Sequence, residues 1–228
     1  MLGANGDGRL GDGTTTNRLT PYPVIGLPDV AAVDVGGSHS CALRHNGTTW
    51  CWGANGDGQL GDSTTTSRLT ATQVSGLTGV IAISAGSEHT CAVKQNRTVV
   101  CWGENGSGRL GDGTTADRLT PTLVTGLTGV TAITAGSDHA CALKQNGNVD
   151  CWGNNSFGQL GDGTTTNRPT PAPVTGIAGV ASITAGGSHE CAIKQDATVG
   201  CCWGSNSSGQ LGDGSMIDRV TPTPVVRL

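Results

Sequence analysis

Four histidines, His39, His89, His139 and His189, stand 50 residues apart along the chain. Imidazole is both a general base near neutral pH and a common metal ligand, so a ring of four could bind a metal or move protons. However, one histidine per blade with no acidic or cysteine partner at a ligand spacing is poor zinc geometry. A structural role, with the ring bonding neighbouring backbone, is expected, and no metal site. The nine cysteines form a second reactive set. Cys41 and Cys51, Cys91 and Cys101, and Cys141 and Cys151 lie ten apart, and Cys191 is followed by the vicinal Cys201 and Cys202. No Cys-x-x-Cys pair occurs, so the spacing is not a zinc pattern. A third set brackets a threonine-rich loop. Asp12, Asp62, Asp112, Asp162 and Asp213 precede it, and Arg18, Arg68, Arg118, Arg168 and Arg219 follow it. Either each Asp–Arg pair braces its loop, or Thr15, Thr65, Thr115 and Thr165 join the five arginines in a polar ring on one face. Such a ring would hold a carboxylate, phosphate or sugar and, being repeated, would be multivalent.

Other chemistry is missing. Asn55-Gly-Asp57-Gly-Gln59 has part of a calcium loop but no acidic twelfth ligand, and Ser107, Phe157 and Ser208 replace Asp57 in the other copies. There is no Gly-x-Ser-x-Gly, His-Glu-x-x-His, P-loop or dinucleotide fingerprint. Catalysis needs an asymmetric set of groups in one site, which near-identical repeats do not supply. No catalytic residue and no cofactor are expected, and the chain reads as a non-enzyme.

The elements that would position these groups are written in the composition. Of 228 residues, 38 are Gly and only 7 are aromatic, while charged residues make up 13%, about half the usual share. Scarce helix formers with abundant Gly, Thr and Val point to an all-β protein rich in tight turns. A net charge of −4 argues against non-specific nucleic-acid binding. No apolar run reaches the 18 residues of a membrane span, and the N-terminus carries no signal-peptide pattern.

One unit is copied through the chain. Trp52-Gly53, Trp102-Gly103, Trp152-Gly153 and Trp203-Gly204 recur at 50 residues, with one extra residue before the last. Each is followed by Asn-x-x-Gly-Gln/Arg-Leu-Gly-Asp, the intervening loop and Thr-Pro-x-Pro-Val, and the first three also by Gly-Leu-x-Gly-Val and Ala-Gly-Ser-x-His-x-Cys-Ala, with small variations. The repeats run approximately 3–52, 53–102, 103–152 and 153–203, with a partial copy at 204–228, in a single repeat domain covering 1–228. Val80 to Ala85 reads as a buried strand, and Thr90 to Lys94 with Val99 to Trp102 as a hairpin. In the next copy, Gln145-Asn146-Gly147 fits a type I turn plus a G1 bulge. That loop pairs Lys144 with Asn148, then Leu143 with Val149, Ala142 with Asp150, and Cys141 with Cys151. The same count opposes Cys41 to Cys51 and Cys91 to Cys101, giving one cross-strand disulfide per repeat. In the last repeat the Trp alignment pairs Cys191 with Cys202, whereas the turn alignment pairs it with Cys201. Paired cysteines imply a secreted or cell-surface protein; reduced thiols would imply a cytoplasmic one.

Units of about 50 residues with roughly four strands have the size of propeller blades. Residues 102–111 and 135–143 carry a Trp-Gly-x-Asn-x-x-Gly-Arg-Leu-Gly segment and an Ala-Gly-x-x-His-x-x-Ala-Leu segment. Over essentially its whole length the chain resembles the regulator of chromosome condensation repeat family. The resemblance implies a β-propeller, in that family usually of seven blades. Four repeats and a partial one imply a partial ring that is a fragment of a larger propeller, an unusually small ring, a ring completed by other copies, or a head-to-tail stack of copies. The duplicated segment at 5–24 and 206–225 makes strand exchange between chains an option.

The family includes a nucleotide exchange factor for a small nuclear GTPase, a plant ultraviolet photoreceptor and a bacterial β-lactamase inhibitor. The photoreceptor's sensing Trp motif is replaced here by Ser87-Glu88-His89 and Ser137-Asp138-His139. The uniform repeats and regular cysteines look most like bacterial or environmental secreted members. The expected function is a non-enzymatic scaffold binding a protein partner or its own copies. A multivalent glycan- or anion-binding module is the alternative, and nucleotide exchange on a small GTPase ranks below both.

Overall fold

The computed structural model describes residues 1–195 and 200–226. The turn of the last hairpin, residues 196–199, lies outside the described residues. All regular elements described are strands. β1 (Val30–Val35), β2 (His39–Arg44), β3 (Thr49–Gly53) and β4 (Arg68–Gln73) form the first antiparallel sheet. β5 (Val80–Ala85), β6 (His89–Lys94), β7 (Val99–Gly103) and β8 (Arg118–Leu123) form the second. β9 (Val130–Ala135), β10 (His139–Lys144), β11 (Val149–Gly153) and β12 (Arg168–Pro173) form the third. β13 (Val180–Ala185), β14 (His189–Lys194), β15 (Cys201–Gly204) and β16 (Arg219–Pro224) form the fourth. In every sheet the spatial order is the chain order, so each is a four-stranded meander blade. Each blade draws on two successive sequence repeats: β5–β8 uses the end of 53–102 and the start of 103–152.

The innermost strands β1, β5, β9 and β13 end around a shared cavity of about 240 Å³ lined by Gly36, Gly86, Gly136 and Gly186 and their neighbours. The central hairpins follow from their turns. Gly147 has φ +77°, its N–H bonds the Lys144 carbonyl at 2.9 Å, and the Lys144 N–H bonds Asn148 O at 2.9 Å. This is the G1 bulge that sets Leu143 opposite Val149 and Cys141 opposite Cys151. The structure joins Cys41 to Cys51, Cys91 to Cys101, Cys141 to Cys151 and Cys191 to Cys202. Cys201 lies opposite Ala192, buried. The outer strands β8, β12 and β16 contain prolines. Proline cannot donate to a ladder and is tolerated on edge strands, and each outer strand has a single neighbour in its sheet.

The apolar cores lie between blades rather than within them. One cluster joins Leu143, Leu160 and Val174 to Val180, Ala192 and Trp203; two equivalent clusters join the earlier blades. Trp52, Trp102, Trp152 and Trp203 are fully buried. Each indole N–H donates to a carbonyl about 43 residues earlier, namely Arg9, Gln59, Arg109 and Gln159 O, at 2.9–3.0 Å. The loop carrying that carbonyl lies flat on the indole because it contains glycine. Gly61 has φ +67°, and a Cβ there would sit 2.7 Å from Trp102 Nε1.

Candidate functional site: loops, histidines and open edges

Each loop between a third and a fourth strand is organised by one buried asparagine. Asn105 Nδ2 donates to Asp112 Oδ1, to the Thr114 carbonyl at 3.2 Å and to the Ala116 carbonyl at 3.0 Å. Its Oδ1 accepts the Leu110 N–H at 2.9 Å. Asp112 in turn accepts the Thr114 N–H and hydroxyl at 2.9 and 2.8 Å, and the Arg118 guanidinium at 2.7 Å. Burial alone would raise the Asp112 pKa, but the bonds from Thr114 and Arg118 outweigh it and hold the carboxyl below its ordinary value. The same arrangement recurs at Asp12–Arg18, Asp62–Arg68, Asp162–Arg168 and Asp213–Arg219. Two of each guanidinium's three nitrogens therefore already bond the loop's own residues. Thr15, Thr65, Thr115 and Thr165 are exposed on these loops.

His39, His89 and His139 sit between blades, and the position 51 residues on in the next blade sets what each ring meets. His39 Nε2 is 2.8 Å from Thr90 Oγ1. For His89 the equivalent residue is Ala140, which has no side-chain acceptor, and neither ring nitrogen has a hydrogen-bond partner among the described residues. His139 Nε2 lies 3.5 Å from Glu190 Oε2, both fully buried. An acidic partner is thus present for His139, contrary to the sequence-based expectation. A search confined to one repeat misses it because it comes from the neighbouring repeat. His139, Cys141 and Glu190 place one donor atom each within 4.8 Å of one another. Cys141 Sγ is bonded to Cys151, so the set offers only an imidazole and a carboxylate as ligands. Burial lowers the His39 pKa to about 4, against a smaller opposing contribution from the Ser87 backbone. It drives His89 well below its ordinary value, helped by Arg109, His39 and His139. Burial pushes the Glu190 carboxyl up, partly offset by its bond to His139.

The two terminal blades expose what internal blades bury. On β1, Val30 is 36% exposed, whereas its equivalents Val80, Val130 and Val180 are 3%, 0% and 2% exposed. On β14, Ile193 is 53% exposed, against 5%, 0% and 5% for Leu43, Val93 and Leu143. Thr184 is exposed and His189 half-buried where Ser84, Thr134, His39, His89 and His139 are buried. The N-terminal residues partly cover the first edge: Arg9 O receives the Trp52 indole at 3.0 Å and the Ser40 hydroxyl at 2.9 Å. At the other edge, among the described residues, a Cβ on Gly212 would meet only Val225, with no indole beneath it. An open arc of four blades is expected to expose two apolar blade faces; which side chains form them is not legible in the sequence, because every copy of the unit reads alike and only position in the arc distinguishes them.

Solved structures share this architecture. Human WBSCR16 superposes over 99% of this chain and 62% of its own, with a TM-score of 0.87 and 23% identity. Prp20p from Saccharomyces cerevisiae superposes over 95% of this chain and 55% of its own, at TM-score 0.84 and 22% identity. The ectodomain of the receptor kinase CR4 from Physcomitrella patens matches over 84% of this chain and 46% of its own, at TM-score 0.57 and 27% identity. The chain spans less than two thirds of the length of each. No curated protein matches it in sequence. The family model of the RCC1-like domain matches residues 1–228, and this all-β propeller chain belongs to the RCC1-like domain family.

Proposed function

We propose that this chain is a non-enzymatic propeller scaffold that works by binding protein, and that its terminal blade edges are the binding surface. The observation that carries the proposal is the exposure of Val30, Val33, Val35 and Ile193, side chains whose internal equivalents are more deeply buried. Contiguous exposed apolar patches mark interaction sites. Fold relatives support the class of partner: Prp20p is described by its binding to Gsp1p and histones, and in complex with Kap60. The loop arginines favour the bracing role, since two of the three guanidinium nitrogens already bond the loop's own aspartate and threonine or serine. Four cysteine pairs support an oxidising compartment, and a receptor ectodomain among the fold relatives agrees with it.

The test compares proteins retained by the immobilised chain and by its Val33→Asp/Ile193→Asp variant from the same native milieu. A protein retained by the wild type and lost by the variant supports edge binding. Identical retention by both, or none by either, overturns it.

A further inference from the structure

We infer that the two open edges are complementary halves of one interface, and that a second copy of this chain docks there head to tail. This rests on the protein-binding proposal above and names the partner. The interface is already built three times inside the chain by the same repeat sequence. Its leading half comes from the earlier blade. That half consists of the side-chain acceptor near the end of the inner strand, the histidine, and an aliphatic residue at Leu43, Val93 or Leu143. Its following half comes from the later blade. That half consists of an inner-strand N–H, the residue after the histidine, and the aliphatic residue at Val80, Val130 or Val180. On β13–β16 the leading half has no following blade, with Thr184 and Ile193 exposed; on β1–β4 the following half exposes Val30, Val33 and Val35, while the N-terminal loop covers Ser40.

Transposing the internal contacts specifies the docked pair. Asp34 Oδ2, Ser84 Oγ and Thr134 Oγ1 accept the N–H of Ala85, Ala135 and Ala185 at 2.9, 3.1 and 2.8 Å. Thr184 Oγ1, exposed, is the next acceptor in that series, and its donor is Val35 N–H of the second copy, which in the single copy bonds Asp34 Oδ1 at 3.0 Å and exchanges that bond on docking. His189 faces Ser40 as His39 faces Thr90. Ile193 covers Val30 and Val33 as Leu143 packs with Val180 and Ile183.

The outer slot is supplied twice. Asn5, Leu10, Gly11 and Val24 recur as Asn206, Leu211, Gly212 and Val225. The first set already caps Trp52, whereas the second borders a cavity of about 580 Å³ lined by Gly212, Met216 and Val225 among others. Docking brings both loops to one indole, and one of them yields. The exchange replaces the Arg9 carbonyl with that of Gln210 and remakes the same bonds, so little is lost. A contact of this kind is heterologous, closing a ring or growing a chain.

Light scattering on the chain 1–228 at about 100 µM, where weak complexes populate, tests this. The expected mass is at least about twice the 22.8 kDa of one copy. Val33→Asp removes the following half and Ile193→Asp the leading half. Both residues are about half exposed, so each variant keeps its fold, which circular dichroism checks. Each variant alone is expected to be monomeric, yet an equal mixture gives a one-to-one dimer, because each chain retains the edge the other lacks. A monomeric wild type, a mixture that stays monomeric, or a single variant that still associates would overturn the inference. A monomeric wild type that retains another protein through its edges would leave the broader proposal standing and remove only the second copy.

Discussion

The indole N–H of Trp102 and the hydroxyl of Thr90 donate to the same carbonyl, Gln59 O, at 2.9 and 3.0 Å. Trp52 and Ser40 share Arg9 O in the same way. At the next blade the hydroxyl is missing, because Ala140 stands where Thr90 does, and Arg109 O keeps only the indole of Trp152 at 2.9 Å. An unsatisfied buried acceptor costs about 1–3 kcal/mol. Trp152→Phe is therefore expected to destabilise the chain by about 1 kcal/mol more than Trp102→Phe. Urea unfolding midpoints at unchanged slope measure the difference; equal losses would show that the hydroxyl does not support the shared carbonyl.

Among the described residues, three without glycine's freedom occupy left-handed backbone: Arg97 at φ 65°, Ser63 at 69° and Asp29 at 60°. Other copies have glycine at these positions, among them Gly147, Gly163 and Gly179, at φ 77°, 84° and 64°. For a residue with a Cβ, this region costs roughly 1–2 kcal/mol, partly offset by glycine's extra freedom in the unfolded chain. Arg97→Gly is expected to raise stability by about 0.5–1 kcal/mol without changing the hairpin. Thermal unfolding of Arg97→Gly, with Gly147→Arg expected to move the opposite way, checks it.

Much of the blade was legible because its signals are local. A three-residue turn with glycine third fixes the register of Leu143, Ala142 and Cys141 against β11 before any tertiary contact is known. The outer strands were harder to read. β12 is Arg168-Pro-Thr-Pro-Ala-Pro, which lacks a strand's alternation and has few donors. It is a strand because its neighbour β11 supplies the pairing. The partner of His139 was illegible for another reason. Glu190 breaks the series Ser40, Thr90, Ala140, and it becomes a partner only once successive blades are stacked. The Asp–Arg pairs were visible as a spacing. Their bracing role depends on Asn105 and its equivalents, whose side chains are buried beneath the loop.

The hairpin disulfides set a third expectation. Cys141 and Cys151 close a loop with a sequence separation of 10, and cross-linking a loop of that size lowers the unfolded chain's entropy by about 2–3 kcal/mol at room temperature. Replacing both cysteines with alanine is expected to cost about that amount while leaving the β-sheet circular dichroism unchanged. Removing the Cys91–Cys101 pair should cost a similar amount, since its loop has the same length. Denaturant unfolding under non-reducing conditions measures both. A negligible loss in either would mean that the unfolded hairpin is already ordered without its bridge.

Acidification should unfold this chain through its histidines. His39 and His89 are held neutral by burial, the former titrating at about 4 in the fold, whereas an unfolded histidine titrates near 6.5. Between those values the unfolded chain binds protons that the native chain refuses. Their contribution is complete above about pH 6.5 and falls as pH drops, by about 1.4 kcal/mol per pH unit for each such histidine. For His39 the decline ends near pH 4, where the native ring takes its proton. Glu190 acts in the opposite sense: its carboxyl is raised by burial, so its contribution is full below the unfolded glutamate value and is lost as pH rises through the folded one. Glu190→Thr, which copies Thr90 at the equivalent site, is therefore expected to stabilise the chain at pH 7 and to do little at pH 4. Unfolding midpoints of wild type and variant across pH 4–7.5 check both, and a wild-type curve flat over pH 4.5–6.5 would refute the histidine mechanism.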